Sequence, residues 1–164
     1  MHPALSRCTR PGGKIRAMLI GKEELCSLIP HAGSMCLLEG VIDWNAGEIR
    51  CSALSHTDPA NPLRSNAGLA SVHLLEYGAQ AMAVHGGLLA REFGIRILPG
   101  YLAALRDVVL QQEFIDHITA PLTIHAQMIA TLADSFIYRF SIIAGGIELA
   151  SARATVISRK VTAQ

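Results

Sequence analysis

Residues 71–93, SVHLLEYGAQAMAVHGGLLAREF, decide the fold. Alanine, leucine, methionine, glutamate and glutamine dominate the stretch, all strong helix formers. Its apolar residues recur on every side of a helical wheel, not along one stripe. The spacing therefore predicts a helix over Ser71–Phe93 that is buried on most faces. Gly86-Gly87 weakens its middle, by about 1 kcal/mol per glycine relative to alanine. Gly94 stands where a helix C-cap is wanted.

Beyond the helix the pattern turns to strand. Leu98–Gln112 reads as one long strand opening at Pro99-Gly100, followed by Pro121–Leu132, Ser135–Ala144 and Ile147–Arg159. The short turns Ala133-Asp134 and Gly145-Gly146 join the last three into an antiparallel meander. Before the helix, His56–Ala70 (HTDPANPLRSNAGLA) carries two prolines, two asparagines and a glycine, the composition of an irregular loop. Glu48–Ser55 alternates like a half-buried strand. Asn45-Ala46-Gly47 reads as a hairpin turn needing positive φ, with Val41–Trp44 as its other arm. Lys22–Leu28 is expected to be a short helix, with Glu23 and Glu24 in its first turn and Pro30 ending it. A tight segment, His31–Ser34, and the apolar run Met35–Leu38 follow.

An apolar helix among antiparallel strands buries itself against one face of the sheet or inside its curl. The pattern is α+β, a sheet wrapped around a long central helix, in one domain spanning 18–164. Residues 1–17 (MHPALSRCTRPGGKIRA) are basic and lack the apolar core of a signal peptide. They are expected to form a flexible tail, and Met18 is an alternative start.

Composition excludes several classes of function. Of 164 residues 51% are apolar, 16% are charged, and the net charge is +1. That balance lacks the basic face and stacking rings that meet nucleic acid. Nothing in the sequence approaches the 18 or so consecutive apolar residues of a membrane span. The four cysteines, Cys8, Cys26, Cys36 and Cys51, have no metal-ligand spacing and read as reduced, mostly buried thiols of a cytoplasmic protein. The high apolar fraction suggests a subunit interface. There is no GxGxxG and no GxxxxGK[ST], so no cofactor is expected.

General acid–base chemistry needs a group titrating near neutral pH and a complementary donor or acceptor. His56 opens the irregular loop, where functional side chains are commonly displayed. Glu76 lies early in the apolar helix, beside Leu74, Leu75, Ala79 and Met82. An unpaired carboxylate there would cost several kcal/mol, so it needs a partner; Gln80, four residues on, is placed to supply one. The residues alone leave other readings open. His56 could simply cap the loop, Asp58 could form an Asx turn beside Pro59, and Glu76 could pair with an arginine. His73 could substitute as acid, base or partner, and a metal on His73, Glu76 and His85 is conceivable. His117 and His125 read as ordinary loop or sheet residues. Arg64, Arg91, Arg96 and Arg106 are candidates for meeting an acidic partner.

Three segments carry a resemblance. Lys22–Trp44 (KEELCSLIPHAGSMCLLEGVIDW), the Ser55–Pro62 loop (SHTDPANP) and the Leu75–Gln80 turn (LEYGAQ) resemble the 3-hydroxyacyl-ACP dehydratases. The His-x-Asp-Pro-Ala-Asn-Pro-Leu-Arg loop and the Glu-Tyr-x-Ala-Gln-Ala-Met-Ala-Val-His-Gly helix resemble still more closely the dehydratase-like proteins of aryl polyene and related fatty-acid-type synthesis clusters. The resemblance implies a hot-dog fold and a dimer, formed with itself or with a related dehydratase. It implies a substrate tethered by phosphopantetheine to acyl carrier protein. By position, His56 would take the α-proton and Glu76 would protonate the departing β-hydroxyl. Backbone N–H groups near Ser71 and Val72 would hold the thioester oxyanion, and Pro62 and Gln80 would line the substrate. His31 matches a position that is structural in the family.

The chain departs from the family in places. Ser55 and Thr57 stand where glycine and phenylalanine usually flank the histidine, and Ala70-Ser71 replaces a Pro-Gly pair. The loop between His56 and Glu76 is also longer. These changes keep two alternatives open: a hot-dog thioesterase with Glu76 activating water, and a catalytically silent partner of an active dehydratase.

Overall fold

The protein is seen in a computed structural model that describes residues 18–95 and 100–158. The expected tail at 1–17, Arg96 and the Pro99 strand opening lie outside the described residues.

A two-residue strand, β1 (Ile20–Gly21), leads into helix α1 (Lys22–Ser27). Strands β2 (Gly40–Trp44) and β3 (Glu48–Ala53) form the first hairpin. Helix α2 (Leu74–Glu92) follows a 3-10 turn at Ser71–His73. Then come β4 (Tyr101–Leu110), β5 (Leu122–Leu132), β6 (Ser135–Ala144) and β7 (Ile147–Ile157). Among the described residues these strands form one antiparallel sheet in the order β1-β2-β3-β5-β6-β7-β4. The meander β5-β6-β7 is as the turn residues predicted. Gly145 and Gly146 have φ of 56° and 82°, the left-handed pair a tight hairpin demands.

The expected helix is present, with Ser71–His73 tightened to 3-10 geometry and the α-helix proper starting at Leu74. One face of α2 (Leu74, Tyr77, Ala81, Val84, Leu88) is sealed against inward residues of β3, β5 and β6, among them Ile49, Cys51, Ile124, Phe140 and Ile142. Each such side chain contributes about 1.5–3 kcal/mol when fully buried. Contact between helix and sheet is closest at Gly78, where an added Cβ would overlap the Phe140 ring. A helix-weakening glycine is kept there because the sheet leaves no room for a methyl group.

Two expectations need correction. The Asn45–Gly47 turn uses no positive φ; instead Asn45 Oδ1 accepts from the N–H groups of Gly47 (2.8 Å) and Glu48 (3.2 Å). The asparagine acts through its side chain, as an Asx turn. The cysteines are also not all reduced. Cys26, at the end of α1, and Cys36, after the His31 loop, are disulfide-bonded with their Cα atoms 6.0 Å apart. Ten positions of sequence separation hid that proximity; the helix and the returning loop create it. Cys51 does remain a free, buried thiol, pushed up to about 12 by burial.

Among the described residues, strand β4 lies at the far edge of the sheet and pairs only with β7. Its pairing slips at Leu102/Ala104 and again at Arg106/Val109, with Asp107 at φ 53° in the second bulge. Tyr101, Leu102, Val108, Val109 and Leu110 are all exposed along it.

Candidate active site

Three chain segments converge at the N-terminal half of α2: the His31 loop, the His56 loop and the helix itself. Gln80 joins two of them. It is fully buried, with its Oε1 accepting from the N–H of Leu37 at 2.9 Å. That bond fixes the amide orientation, so Nε2 is the donor on the other side. Its two protons go to the carbonyl of Met35 (2.8 Å) and to Glu76 Oε1 (3.0 Å). The partnership expected between Glu76 and Gln80 is therefore present. A second partner was not foreseen: His31 Nε2 lies 3.0 Å from the same Oε1. Nor is Glu76 deeply buried. Its side chain is 31% exposed, on the flank of the helix that the sheet does not cover.

His56 sits in a 3-10 turn, Ser55–Thr57, immediately after β3. The turn is built by its own side chains. Thr57 Oγ1 donates to the Leu54 carbonyl (2.8 Å), and Asp58 Oδ1 accepts from Ala60 N–H (2.8 Å), the Asx turn expected beside Pro59. A directed chain of hydrogen bonds then fastens it to the helix. Ser55 Oγ donates to the Leu37 carbonyl (2.7 Å). Asn61 Nδ2 donates to Tyr77 Oη (3.1 Å) and to the Ser55 carbonyl (2.8 Å). The Tyr77 hydroxyl, already accepting from Asn61, has its own proton for Ser55 Oγ at 2.8 Å. Ser55 thus has a role that a residue without a hydroxyl could not fill: it ends a largely buried network reaching α2.

Arg64 closes the loop. Its Nη2 donates to the His56 carbonyl (3.0 Å), and its Nη1 pairs with Asp116. Asp116 also accepts from the N–H of Leu69 (2.9 Å), and this bond, with the arginine, holds its carboxyl below the usual range. Gly68, at φ +118°, leaves no space for a Cβ beside that carboxylate.

The imidazole of His56 is fully buried, and neither ring nitrogen makes a well-formed hydrogen bond. Burial lowers its pKa. The carbonyls of Ile118 and Ala120 lie close enough to oppose that shift without meeting hydrogen-bond geometry, and Arg64 adds to it. His56 is thus shielded from solvent, whereas Glu76 is partly open to it. An open groove of about 410 Å³ runs past Gly33, Ser34, Cys36, Ser55, Asn61 and Pro62. Pro62 therefore lies on a concave surface next to the His56 turn.

The ApeP-like family, described as ApeP dehydratase, matches residues 23–164. The chain belongs to the ApeP-like family. Its dehydratase character and its hot-dog fold agree with what the sequence resemblance implied, including the aryl polyene type of synthesis. Solved structures share the fold. The dehydratase heterocomplex ApeI:P from Xenorhabdus doucetiae aligns with TM-score 0.72 at 23% identity, over 82% of this chain and 90% of that one. A mutant thioesterase from Pseudomonas aeruginosa aligns with TM-score 0.64 at 10% identity, over 90% and 100%. The PaaI protein of E. coli aligns with TM-score 0.55 at 13% identity, over 71% and 80%. No curated protein matches the chain.

Within this ApeP-like chain the remaining candidates separate clearly. The Ser71 N–H donates to the Glu113 carbonyl at 2.8 Å, which removes it as an oxyanion donor and leaves Val72, exposed at the start of the helix. His85 is buried with both nitrogens engaged, Nδ1 with Tyr138 Oη (2.9 Å) and Nε2 with the Asn45 carbonyl (2.8 Å). It has no lone pair for a metal, and among the described residues no cluster of metal-ligating side chains forms. His125 pairs with Glu48 on the sheet (2.9 Å), and His117 is an exposed loop residue. Arg64 pairs with Asp116, and Arg91 pairs with Glu24 on an exposed surface. Among the described residues no helix is long and apolar enough to cross a membrane.

Proposed function

We propose that this ApeP-like protein dehydrates a 3-hydroxyacyl thioester carried on acyl carrier protein to the trans-2-enoyl thioester, in the cytoplasm and without a cofactor beyond the substrate's phosphopantetheine. The observation that carries the reading is Glu76. It is a carboxylate on the uncovered flank of the central helix, with Oε1 tied to Gln80 and Oε2 left for the substrate. A base takes the α-proton, the Cα electrons form the double bond, and the β-hydroxyl leaves as water with the proton from Glu76 Oε2. His56 is the base in this reading, and the N–H of Val72 polarises the thioester carbonyl. The protein works as a dimer, with itself or with a related dehydratase subunit.

A second reading is favoured by one observation. His56 is 0% exposed, and a base must reach its substrate. If the turn stays closed, this subunit contributes Glu76 alone and a partner dehydratase supplies the histidine, or the subunit is catalytically silent. Turnover of 3-hydroxyacyl-ACP by the purified protein with its partner subunit distinguishes these cases. Both His56→Ala and Glu76→Gln should lower the rate by about 10²-fold or more if each transfers a proton. Loss in Glu76→Gln with full activity in His56→Ala supports the half-site reading, and full activity in both supports a silent partner. Free acid in place of enoyl product would show a thioesterase.

A further inference from the structure

We propose that Arg64 and Asp116 are positioning residues for His56, a clamp that fixes the main chain at the histidine and leaves its ring free to meet substrate. The inference rests on the reading of His56 as the base and adds two residues to it. The 3-10 turn at Ser55–Thr57 would offer the His56 carbonyl to the N–H of residue 59, but Pro59 has none. The next N–H, of Ala60, goes to Asp58 Oδ1 at 2.8 Å. Arg64 Nη2 takes up the stranded carbonyl at 3.0 Å, and Nη1 of the same guanidinium donates to Asp116 Oδ1. A planar guanidinium serves both acceptors at once, a geometry the single ammonium of a lysine does not reproduce.

Asp116 belongs to the connection between β4 and β5, far from the His56 loop in sequence. Its two carboxylate oxygens lie 3.1 and 2.9 Å from the N–H of Leu69 and accept from it. One carboxylate thus holds the loop at both ends, at His56 through Arg64 and at Leu69 directly. The same connection is laced along the end of the loop: Ile115 N–H donates to the Leu69 carbonyl (3.0 Å), and Ser71 N–H to the Glu113 carbonyl (2.8 Å). A few residues on, the carbonyls of Ile118 and Ala120 approach the His56 ring. The connection therefore meets the histidine from two sides, main chain and ring. Both ring nitrogens nevertheless stay uncommitted.

The test measures turnover of 3-hydroxyacyl-ACP by the full chain with its partner subunit, in Arg64→Met, Arg64→Lys, Asp116→Asn and the Arg64→Met/Asp116→Asn pair, beside His56→Ala. Arg64→Met should lower kcat with KM little changed, by up to about a hundredfold, the scale of a reacting group displaced by about 1 Å. Arg64→Lys keeps the charge without the fork and should recover little. Two residues of one clamp are not additive, so the double variant should be no slower than Arg64→Met. Independently of turnover, nuclear Overhauser contacts between the His56 ring and residues 118–120 should weaken in Arg64→Met. Wild-type kcat in Arg64→Met beside an inactive His56→Ala would overturn the proposal and leave the base role of His56 standing. Full recovery in Arg64→Lys, or losses that multiply in the double variant, would overturn it too. An active His56→Ala would instead overturn the base role, and with it the need for positioning. Should Arg64→Met not fold, the milder Arg64→Lys and Asp116→Asn carry the test: each should lower kcat, and wild-type kcat in both overturns the proposal. Should the wild type show no turnover, unchanged ring contacts overturn the clamp and weakened ones support it.

Discussion

The Tyr77 hydroxyl donates to Ser55 Oγ across 2.8 Å, tying the helical turn that carries Glu76 to the turn that carries His56. Each member of this network has a partner: Asn61 feeds Tyr77, Tyr77 feeds Ser55, and Ser55 ends on the Leu37 carbonyl. Burial pushes the Tyr77 phenol up, so it stays protonated and keeps donating. Tyr77→Phe removes one link and leaves Ser55 Oγ without its donor. The expected loss is about 1–3 kcal/mol, the range for stranding a buried polar group. Urea unfolding of wild type and variant measures it; equal midpoints would show that the network adds no stability.

Two buried histidines give the protein a particular response to acid. Burial lowers both His56 and His85, with carbonyl contacts only partly opposing the shift. In the unfolded chain each takes a proton near pH 6.5, so below that pH the unfolded state binds more protons than the folded one. Stability is then complete above about pH 6.5 and falls as pH drops, with a slope approaching about 1.4 kcal/mol per pH unit for each histidine. The depressed carboxyls of Asp116 and Glu48 act in a lower window, below the ordinary carboxylate range. A melting temperature that stays flat from pH 7.5 to 5.5 would contradict this account.

Cys26–Cys36 closes a short loop, and a bridge of that span stabilises a fold by about 2–3 kcal/mol through the unfolded chain. Reduction, or the Cys26→Ser/Cys36→Ser pair, should lower the thermal midpoint accordingly. Amide exchange in residues 27–36 should quicken most. Exchange that rises equally across the sheet would show that the bridge does not act locally on the His31 loop.

Much of this was legible in the sequence for physical reasons. The long helix announced itself because burial on most faces demands apolar residues on every side. The β5–β7 meander showed because Gly145-Gly146 permits only a tight turn. Glu76 with Gln80 is a contact within one helix, four residues apart, which periodicity alone can find. What stayed hidden depends on distant segments meeting. His31 reaches Glu76 from 45 positions away, Cys26 finds Cys36 only once α1 has turned, and β4 crosses the sheet to pair with β7. Asn45 was misread because a turn made by a side chain looks, in sequence, like one made by positive φ. The ion pairs of Arg64 and Arg91 were hidden because their carboxylates lie 52 and 67 residues away.

The bare flank of β4 has a consequence for how the protein must be made. Among the described residues, nothing pairs with the outer edge of this ten-residue strand beside Tyr101, Leu102, Val108, Val109 and Leu110, and such an edge is a template for any passing chain. Its two bulges and the outward Arg106 blunt the edge without covering it. Left open, the edge favours self-association of the isolated chain. Recombinant yield of the isolated chain should therefore rise when this edge is broken by a proline or a charged residue.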